Sequence, residues 1–500
     1  MTAAPLWSGL GLVAPLDARV SGMPPLGIGG ISIDTRSIKG GELFFAIRGE
    51  TNDGHAFVHA AFAAGAAAAV VDENHAVALQ GLPCLYVVRD VMGALERLGR
   101  AARDRSTARI VAVTGSVGKT STKEALRLVL SDAGPTHASV ASYNNHWGVP
   151  LTLARMPANV RFGIFEIGMN HPGEIEPLVA QVRPQIAIVT NVAPVHLENF
   201  ASVEDIADAK AEIFTGVAAG GLAIINRDIG TFDRLRLRAE ASPARHVVTF
   251  GEHAESDARL ESCVATADGS EISATILGRR IGFRLGAPGR HLALNALAVL
   301  LAARAASVDL DDAAGSLGRF TAGQGRGGRS VLQAADGEFT LIDESYNANP
   351  TSMRAALSLL GASTPVRGGR RIAVLGDMRE LGPEAEALHQ SLRDDILDNA
   401  VDLVFAAGPL SHGLFRSLPP AVRGLWGDSA PVIEGPLADS LRAGDVVMVK
   451  GSNGSRMGPL VTALKERFSG APTSTDKPAA DTPAQADTPA QADTPAQAGH

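Results

Sequence analysis

The seven residues Thr114-Gly-Ser-Val-Gly-Lys-Thr120 constrain this chain more than any other stretch. They stand between an apolar run, Ile110–Val113, and a helical pattern that begins near Ser121. Strand, glycine-bearing turn and helix in that order make a phosphate loop: glycines let backbone N–H groups converge on phosphate oxygens, and the helix N-terminus adds positive potential. In that reading Lys119 reaches the terminal phosphates and Thr120 holds Mg²⁺. The general pattern has its first glycine at the position of Val113, so this loop differs from that of most P-loop GTPases and kinases. The plain alternative is a glycine turn ahead of a helix.

A strand feeding a helix in this way belongs to a largely parallel sheet, and Arg161–Ile167, Ile186–Thr190 and Leu222–Ile225 read as its further strands. Residues 272–285 alternate apolar and polar around Gly278-Arg279-Arg280, as an appended antiparallel hairpin would. Upstream, Leu43–Ile47, Ala66–Val71 and Leu85–Val88 are short apolar runs between turn signals, a small α/β unit, and the Arg-rich stretch Arg100–Arg109 reads as its exit linker. Downstream, the Gly-rich run Thr321–Arg329 marks a boundary before another α/β unit with strands at Phe339–Ile342, Ile372–Leu375, Leu403–Ala406 and Val446–Val449. A length of 500 residues accommodates three such domains. The expected division is 1–105, 106–325 and 326–470, the last Rossmann-like. The tail 471–500 repeats Ala-Asp-Thr-Pro-Ala-Gln three times and is expected to be disordered.

Polar residues at the ends of the central strands are the next candidates, because open α/β sheets collect ligands outside the carboxyl ends of their strands. Glu166 ends an otherwise apolar strand, where an unpaired carboxylate is costly and a Mg²⁺ ligand is satisfied. Asn144 and Asn145 lie in a loop leading toward that strand. His196 follows Thr190-Asn-Val-Ala-Pro-Val and reads equally as a loop histidine bonded to backbone or as part of the site. Lys210 shares a helical face with Ile206, Ile213 and Phe214, behind a Ser202-x-x-Asp205 cap. It reads either as a lysine snorkelling at the edge of the core or as a buried functional group.

Taken in order, Thr114–Thr120, Glu166, His196, Lys210 and Gly289-Arg-His-Leu-Ala-Leu-Asn295 resemble the Mur ligase superfamily across the whole central domain. Asp343-Glu-Ser-Tyr-Asn-Ala-Asn-Pro-Thr-Ser-Met353, Val374-Leu-Gly-Asp-Met378 and Lys450-Gly-Ser-Asn-Gly-Ser-Arg-Met457 are similar to one branch of it, the ligases that add D-alanyl-D-alanine to UDP-MurNAc-tripeptide. Tyr143-Asn-Asn-His-Trp-Gly-Val-Pro150 fits the same branch, while Asp34-Thr-Arg36 and Asp53-Gly-His55 resemble a UDP-binding domain. Glu344 and Trp147 depart from the branch pattern, which commonly has an Asp and an aliphatic residue there. The resemblance implies ATP-dependent amide-bond formation through an acyl phosphate, with ADP and phosphate released. It implies nucleotide contacts at Thr114, Gly115, Ser116, Val117, Gly118, Lys119 and Thr120, and at Asn295, Arg326, Asp343, Tyr346 and Asn347. Thr120 and Glu166 would hold one Mg²⁺, His196 and a carbamylated Lys210 a second, and Lys119, His196 and Lys210 would be catalytic. Thr35, Arg36, Asp53, Asn144 and Asn145 would contact substrate.

Composition narrows the alternatives. A net charge of −8 and 4% aromatic residues supply neither the field nor the stacking platforms of a nucleic-acid binder. Cys84 and Cys263 lie far apart and match no zinc or disulfide spacing. The first positive charge is Arg19, so no signal peptide is read, and no run is long enough to span a bilayer. The chain is expected to be cytoplasmic and to act as a monomer, without nucleic acid or membrane as partner. A ligase that adds glutamate to a folate is disfavoured by the first hundred residues, because such an enzyme lacks a separate UDP-binding domain. A motor-type NTPase is disfavoured by Glu166 where a Walker B aspartate belongs. A non-catalytic UDP-sugar binder is disfavoured by the intact Lys119, Thr120, Glu166 and Lys210.

Overall fold

The computed structural model describes residues 4–469 apart from 50, 51, 141, 196, 267 and 268. The tail and His196 therefore lie outside the described residues. Three sheets succeed one another along the chain. In the first, five strands run in the order Arg19–Gly22, Cys84–Val88, Ala68–Asp72, Glu42–Phe45, Gly30–Ser32. All neighbours are parallel except Arg19–Gly22, which pairs antiparallel with Cys84–Val88.

The second sheet has nine strands, and its middle positions the chemistry. Arg109–Thr114 lies between Phe162–Glu166 on one side and Ile186–Val189 on the other, both parallel to it. The chain fills the first side, out to Thr136–Ala138, then crosses to fill the second through Leu222–Asn226 and His246–Gly251. The sheet thus reverses direction at Arg109–Thr114, and the carboxyl ends there, Thr114, Glu166 and Val189, border the crevice such a switch point creates. Ala258–Thr266, Gly269–Ile276 and Arg279–Leu285 complete the sheet as an antiparallel extension turned at Leu277-Gly278, both with positive φ. The third sheet, in the order Gly328–Ala334, Gly337–Glu344, Val446–Lys450, Arg371–Gly376, Leu403–Ala407, Arg423–Gly427, is parallel except for its first hairpin. Both faces of the central sheet are covered by large apolar clusters, as a parallel sheet requires.

The expected linker at Arg100–Arg109 is corrected: residues through Asp104 finish the helix Val91–Asp104. Asp90 caps that helix by accepting from the Met92 and Gly93 N–H groups, and Leu95, Leu98 and Ala102 are buried along one face. Its arginines do not mark a solvated connector. Arg103 is 8% exposed and donates to the Val182 and Arg183 carbonyls at 2.8 and 3.0 Å, capping the end of the helix Ile175–Val182. Arg105 stacks over Trp7 at 3.4 Å, Trp7 donates to the Ala154 carbonyl at 3.0 Å, and Arg155 donates to the Ile31 carbonyl at 2.7 Å. The first and second sheets are held together by these bonds and by Leu151 and Ala154 packed into the first sheet's core.

Candidate active site

The loop after Arg109–Thr114 is shaped by two glycines that no other residue could replace. Gly118 has φ 84°, and a Cβ there would lie 2.6 Å from the Asn295 amide; at Gly115, φ 150°, a Cβ would meet the Thr190 hydroxyl at 2.0 Å. The next strand's end clamps the loop. Thr190 Oγ1 donates to the Val117 carbonyl at 2.6 Å, the Ser116 N–H to the Asn191 carbonyl at 2.9 Å, and the Ala193 N–H to Ser116 Oγ at 2.9 Å. The helix Lys119–Ala133 opens directly from it. Lys119 is half-buried and donates to the Gly115 carbonyl at 2.6 Å. Burial pulls its amine below the ordinary lysine value; Arg326 adds to this and Glu166 opposes it. Thr114 is fully buried behind the loop.

Thr120 and Glu166 meet at the switch point. Glu166 is 1% exposed, and Thr120 Oγ1 donates to its Oε2 at 2.8 Å while Asn144 Nδ2 donates to its Oε1 at 2.7 Å. A hydroxyl and a carboxylate oxygen in contact are a hard, all-oxygen donor set of the kind Mg²⁺ takes, and the residues present fit that ion. Asn145 turns elsewhere: its Oδ1 accepts from the Gly148 N–H at 3.0 Å, capping the helix Gly148–Ala154, though the residue still borders the cavity. Lys210 is 2% exposed among Ile206, Ile213 and Phe214, so the snorkelling alternative does not hold. Burial, with the nearby Lys119 charge second, holds its amine well below its ordinary value.

Lys119, Thr120, Asn144, Asn145 and Glu166 face a cavity of about 920 Å³ that also takes walls from the third sheet unit and, through Glu96 on the helix Val91–Asp104, from the first; Lys210, Thr114 and Gly115 do not border it. Asn295 borders it next to Gly118. From the third sheet come Arg326, Tyr346 and Asn347. Arg326 lies 4.0 Å over the Tyr346 ring, and the Tyr346 hydroxyl donates to Ser142 Oγ at 2.7 Å, joining the third unit to the loop that carries Asn144. Asp343 is separate from that cavity. Its oxygens accept from the Gly325 N–H, the Ser345 N–H and the Ser345 hydroxyl, so it braces the Arg326 turn from behind. The carboxylate bordering the cavity is its neighbour Glu344, beside Lys450, whose Nζ donates to the Asn347 carbonyl at 2.9 Å and lies 3.4 Å from Glu344 Oε2. Lys450 is buried, which lowers its amine's pKa against the pull of Glu344. Sequence reasoning missed Glu344, Lys450, Ser142, Thr190 and Asn191. For Lys450 a signal existed, a cation ending an apolar strand.

In the first sheet unit, Asp34 caps Thr35–Ser37 through the Arg36 N–H and forms an exposed ion pair with the Arg36 guanidinium at 2.7 Å. Asp53 accepts from the His55 N–H at 3.0 Å and contacts His55 Nδ1 at 2.6 Å. None of Thr35, Arg36 and Asp53 borders the 920 Å³ cavity. Asp53, His55 and His75 are close enough to suggest a metal cluster, but His55 Nε2 accepts the Asp72 N–H at 3.0 Å. The proton therefore sits on Nδ1, leaving the imidazole no lone pair for a metal.

Comparison with known proteins identifies the family. Three family profiles match in succession: the catalytic domain of the Mur ligase family at residues 27–106, the Mur ligase middle domain at 113–303, and the Mur ligase glutamate ligase domain at 328–453. The UDP-N-acetylmuramoyl-tripeptide–D-alanyl-D-alanine ligase of Escherichia coli (strain K12) is 35% identical over 438 residues, covering 87% of this chain and 93% of that one. A crystal structure of MurF from Acinetobacter baumannii superposes with a TM-score of 0.79 at 27% identity, over 92% of this chain and 99% of that one. A UDP-N-acetylmuramoylalanyl-D-glutamyl-2,6-diaminopimelate–D-alanyl-D-alanyl ligase structure from the same organism gives 0.78 at 27%, over 93% and 100%. With all three sheets matched in order, the chain belongs to the Mur ligase family, in its UDP-N-acetylmuramoyl-tripeptide–D-alanyl-D-alanine ligase branch.

Proposed function

We propose that this chain uses ATP to join D-alanyl-D-alanine to UDP-N-acetylmuramoyl-tripeptide. The peptide's terminal carboxylate oxygen attacks the γ-phosphorus and ADP leaves; the dipeptide's amine then attacks the acyl carbon, the C–O bond to phosphate breaks, and the amine's proton is released. The observation that carries this reading is the phosphate loop at the switch point, opening on one cavity bordered by the second and third sheet units and, through Glu96, by the first. Such a cavity lets a nucleotide, an acyl acceptor and an amine approach from different units, and phosphoryl transfer demands positioning and charge neutralisation above all.

Backbone N–H groups of Gly115–Thr120 bind the phosphates, Lys119 turns from the Gly115 carbonyl to the transferring group, and Arg326 neutralises charge from the third unit. Glu344 and Asn347 are suited to accept and donate to a nucleoside. Thr120 and Glu166 would hold one Mg²⁺, and His196 with a carbamylated Lys210 a second. Bound Mg²⁺ would supply Lewis-acid neutralisation of phosphate charge. Burial favours the uncharged amine of Lys210, the form that reacts with CO₂. The three sheet units act as three domains, and their joint enclosure of the site implies closure during turnover.

The test is phosphate release by the purified protein with ATP. UDP-MurNAc-tripeptide plus D-alanyl-D-alanine should release phosphate and folate plus glutamate should not. Release with folate alone would overturn the assignment.

A further inference from the structure

Lys123 is fully buried one turn beyond Lys119 on the helix Lys119–Ala133, and it does not border the 920 Å³ cavity. The chemistry proposed above does not use it. A lysine taken out of water is costly unless its ammonium is paired and hydrogen-bonded, and this one is both. Its Nζ donates to the Ser139 carbonyl at 2.8 Å and lies 2.9 Å from Glu124 Oε1, while Glu124 Oε2 accepts from Arg127 Nε at 2.7 Å. The pair with Glu124 joins neighbours on one helix. The bond to Ser139 instead leaves the helix and fixes a different element.

Ser139 is 2% exposed and follows the edge strand Thr136–Ala138, whose strand neighbour is Phe162–Glu166. Three residues at a sheet edge make few ladder bonds, so the loop that leaves them needs another anchor. Ser139 supplies it from three directions. Its N–H donates to the Ile164 carbonyl at 3.1 Å, its Oγ accepts from the Glu166 N–H at 3.3 Å, and its carbonyl takes the Lys123 ammonium. The loop beyond carries Ser142, which accepts from the Tyr346 hydroxyl, and Asn144, which donates to Glu166 Oε1 at 2.7 Å. The Asn144 carbonyl accepts from the Gly168 N–H at 2.8 Å, closing the loop at its far end. Thr120, three residues before Lys123 and on the same side of the helix, donates to Glu166 Oε2 at 2.8 Å. The helix thus grips the Glu166 strand twice, directly through Thr120 and, behind it, through Lys123 and Ser139.

We propose that Lys123 is a positioning residue for the Mg²⁺ site. By holding the Ser139 carbonyl against the phosphate-loop helix, it sets the spacing of Thr120 and Glu166, keeps Asn144 on the carboxylate and keeps Ser142 within reach of Tyr346. A charge-assisted bond holds that spacing more firmly than a neutral one. The inference rests on the ligase reading above, with Thr120 and Glu166 as its Mg²⁺ donors.

The test is ADP binding by calorimetry, in Mg²⁺ and in EDTA, with wild type, Lys123→Met, Ser139→Ala, Asn144→Ala and the double variant Lys123→Met/Asn144→Ala, each below its thermal midpoint. Wild type should bind ADP more tightly in Mg²⁺. Lys123→Met keeps the methylene stem without the donor, and should weaken binding by about tenfold or more in Mg²⁺ but by less than about threefold in EDTA. A merely structural loss would lower both alike. Ser139→Ala should weaken binding in Mg²⁺ by about two- to tenfold. Adding Lys123→Met to Asn144→Ala should cost less than about twofold more, because both act on Glu166 through one loop. No loss in Lys123→Met, equal losses in Mg²⁺ and EDTA, or fully multiplied losses in the double variant overturn the positioning role and leave the ligase reading intact. Should Lys123→Met not fold, Ser139→Ala decides, and unchanged binding in Mg²⁺ overturns the role. Equal binding of ADP by wild type in Mg²⁺ and EDTA removes the Mg²⁺ site at Thr120 and Glu166, and the role of Lys123 with it. Ligation by wild type, assayed alongside, tests the ligase reading separately.

Discussion

Replacing Lys119 by alanine isolates one charge at the phosphate loop. The amine is half-buried at the cavity, and of the nearby cations Arg326 and Lys450 belong to a different sheet unit. A unit charge about 4 Å from a phosphoryl oxygen interacts by roughly 4 kcal/mol at an effective dielectric near 20. Loss of one preorganised donor at a developing charge typically costs about 3–4 kcal/mol, so turnover should fall by about 10²–10³-fold. Fold and stability should survive. Burial depresses the folded-state pKa of Lys119 below 10.5, so the folded protein is penalised for holding that proton at neutral pH, and the penalty fades as pH rises toward 10.5. Alanine removes the penalty, and the variant's thermal midpoint at pH 7 should not be lower than wild type's. In wild type the same depression should make ligation fall with rising pH earlier than a free lysine would dictate. Phosphate release by the purified variant decides: activity above about a tenth of wild type, a loss under ~1.4 kcal/mol, would refute the role given to Lys119.

Asn144→Ala removes the 2.7 Å donor to Glu166 and should destabilise by about 1.5–3 kcal/mol, a loss reduced by Mg²⁺; an equal drop in thermal midpoint with and without Mg²⁺ would count against the metal assignment. Tyr346→Phe deletes the 2.7 Å bond to Ser142, worth about 0.5–1.5 kcal/mol, and should raise KM for ATP by about two- to tenfold with kcat little changed; an unchanged KM would show the contact is not coupled to nucleotide binding. Lys210→Ala should lose most activity and regain part with acetate, whereas Lys210→Arg should not be rescued, its charge and bulk remaining. Near-wild-type turnover in Lys210→Ala without acetate would remove the carbamate from the site.

What could be read from the sequence was local or periodic. Thr114–Thr120 is legible because strand, glycines and helix are contiguous, and the long apolar strands are legible because both their faces are buried. Short edge strands such as Thr136–Ala138 and Gly30–Ser32 were not, because three residues are too few to carry a period. The helix ending at Asp104 was misread because Arg103 and Arg105 looked solvated, while each spends its guanidinium on carbonyls more than 45 residues away in sequence. Lys210 was ambiguous for a related reason. Its helical face was legible, but a four-carbon stem either reaches water or does not depending on what packs over it.

The exchange of Asp343 for Glu344 turns on strand parity, which two adjacent carboxylates at a strand's end cannot reveal. Phe339 and Leu341 pack with Val447 and Val449 on one face of the third sheet, while Ile342 packs with Val446 and Met448 on the other. Alternation therefore sends Asp343 to the first face and Glu344 to the second, and parallel pairing sets Glu344 opposite Lys450. A one-residue slip in the strand Gly337–Glu344 would exchange the two carboxylates, burying the one beside Lys450 and presenting the one that braces Gly325. The register is fixed far from the site, by Phe339 and Leu341 in the core, and it is this apolar pattern that decides which acid the cavity receives.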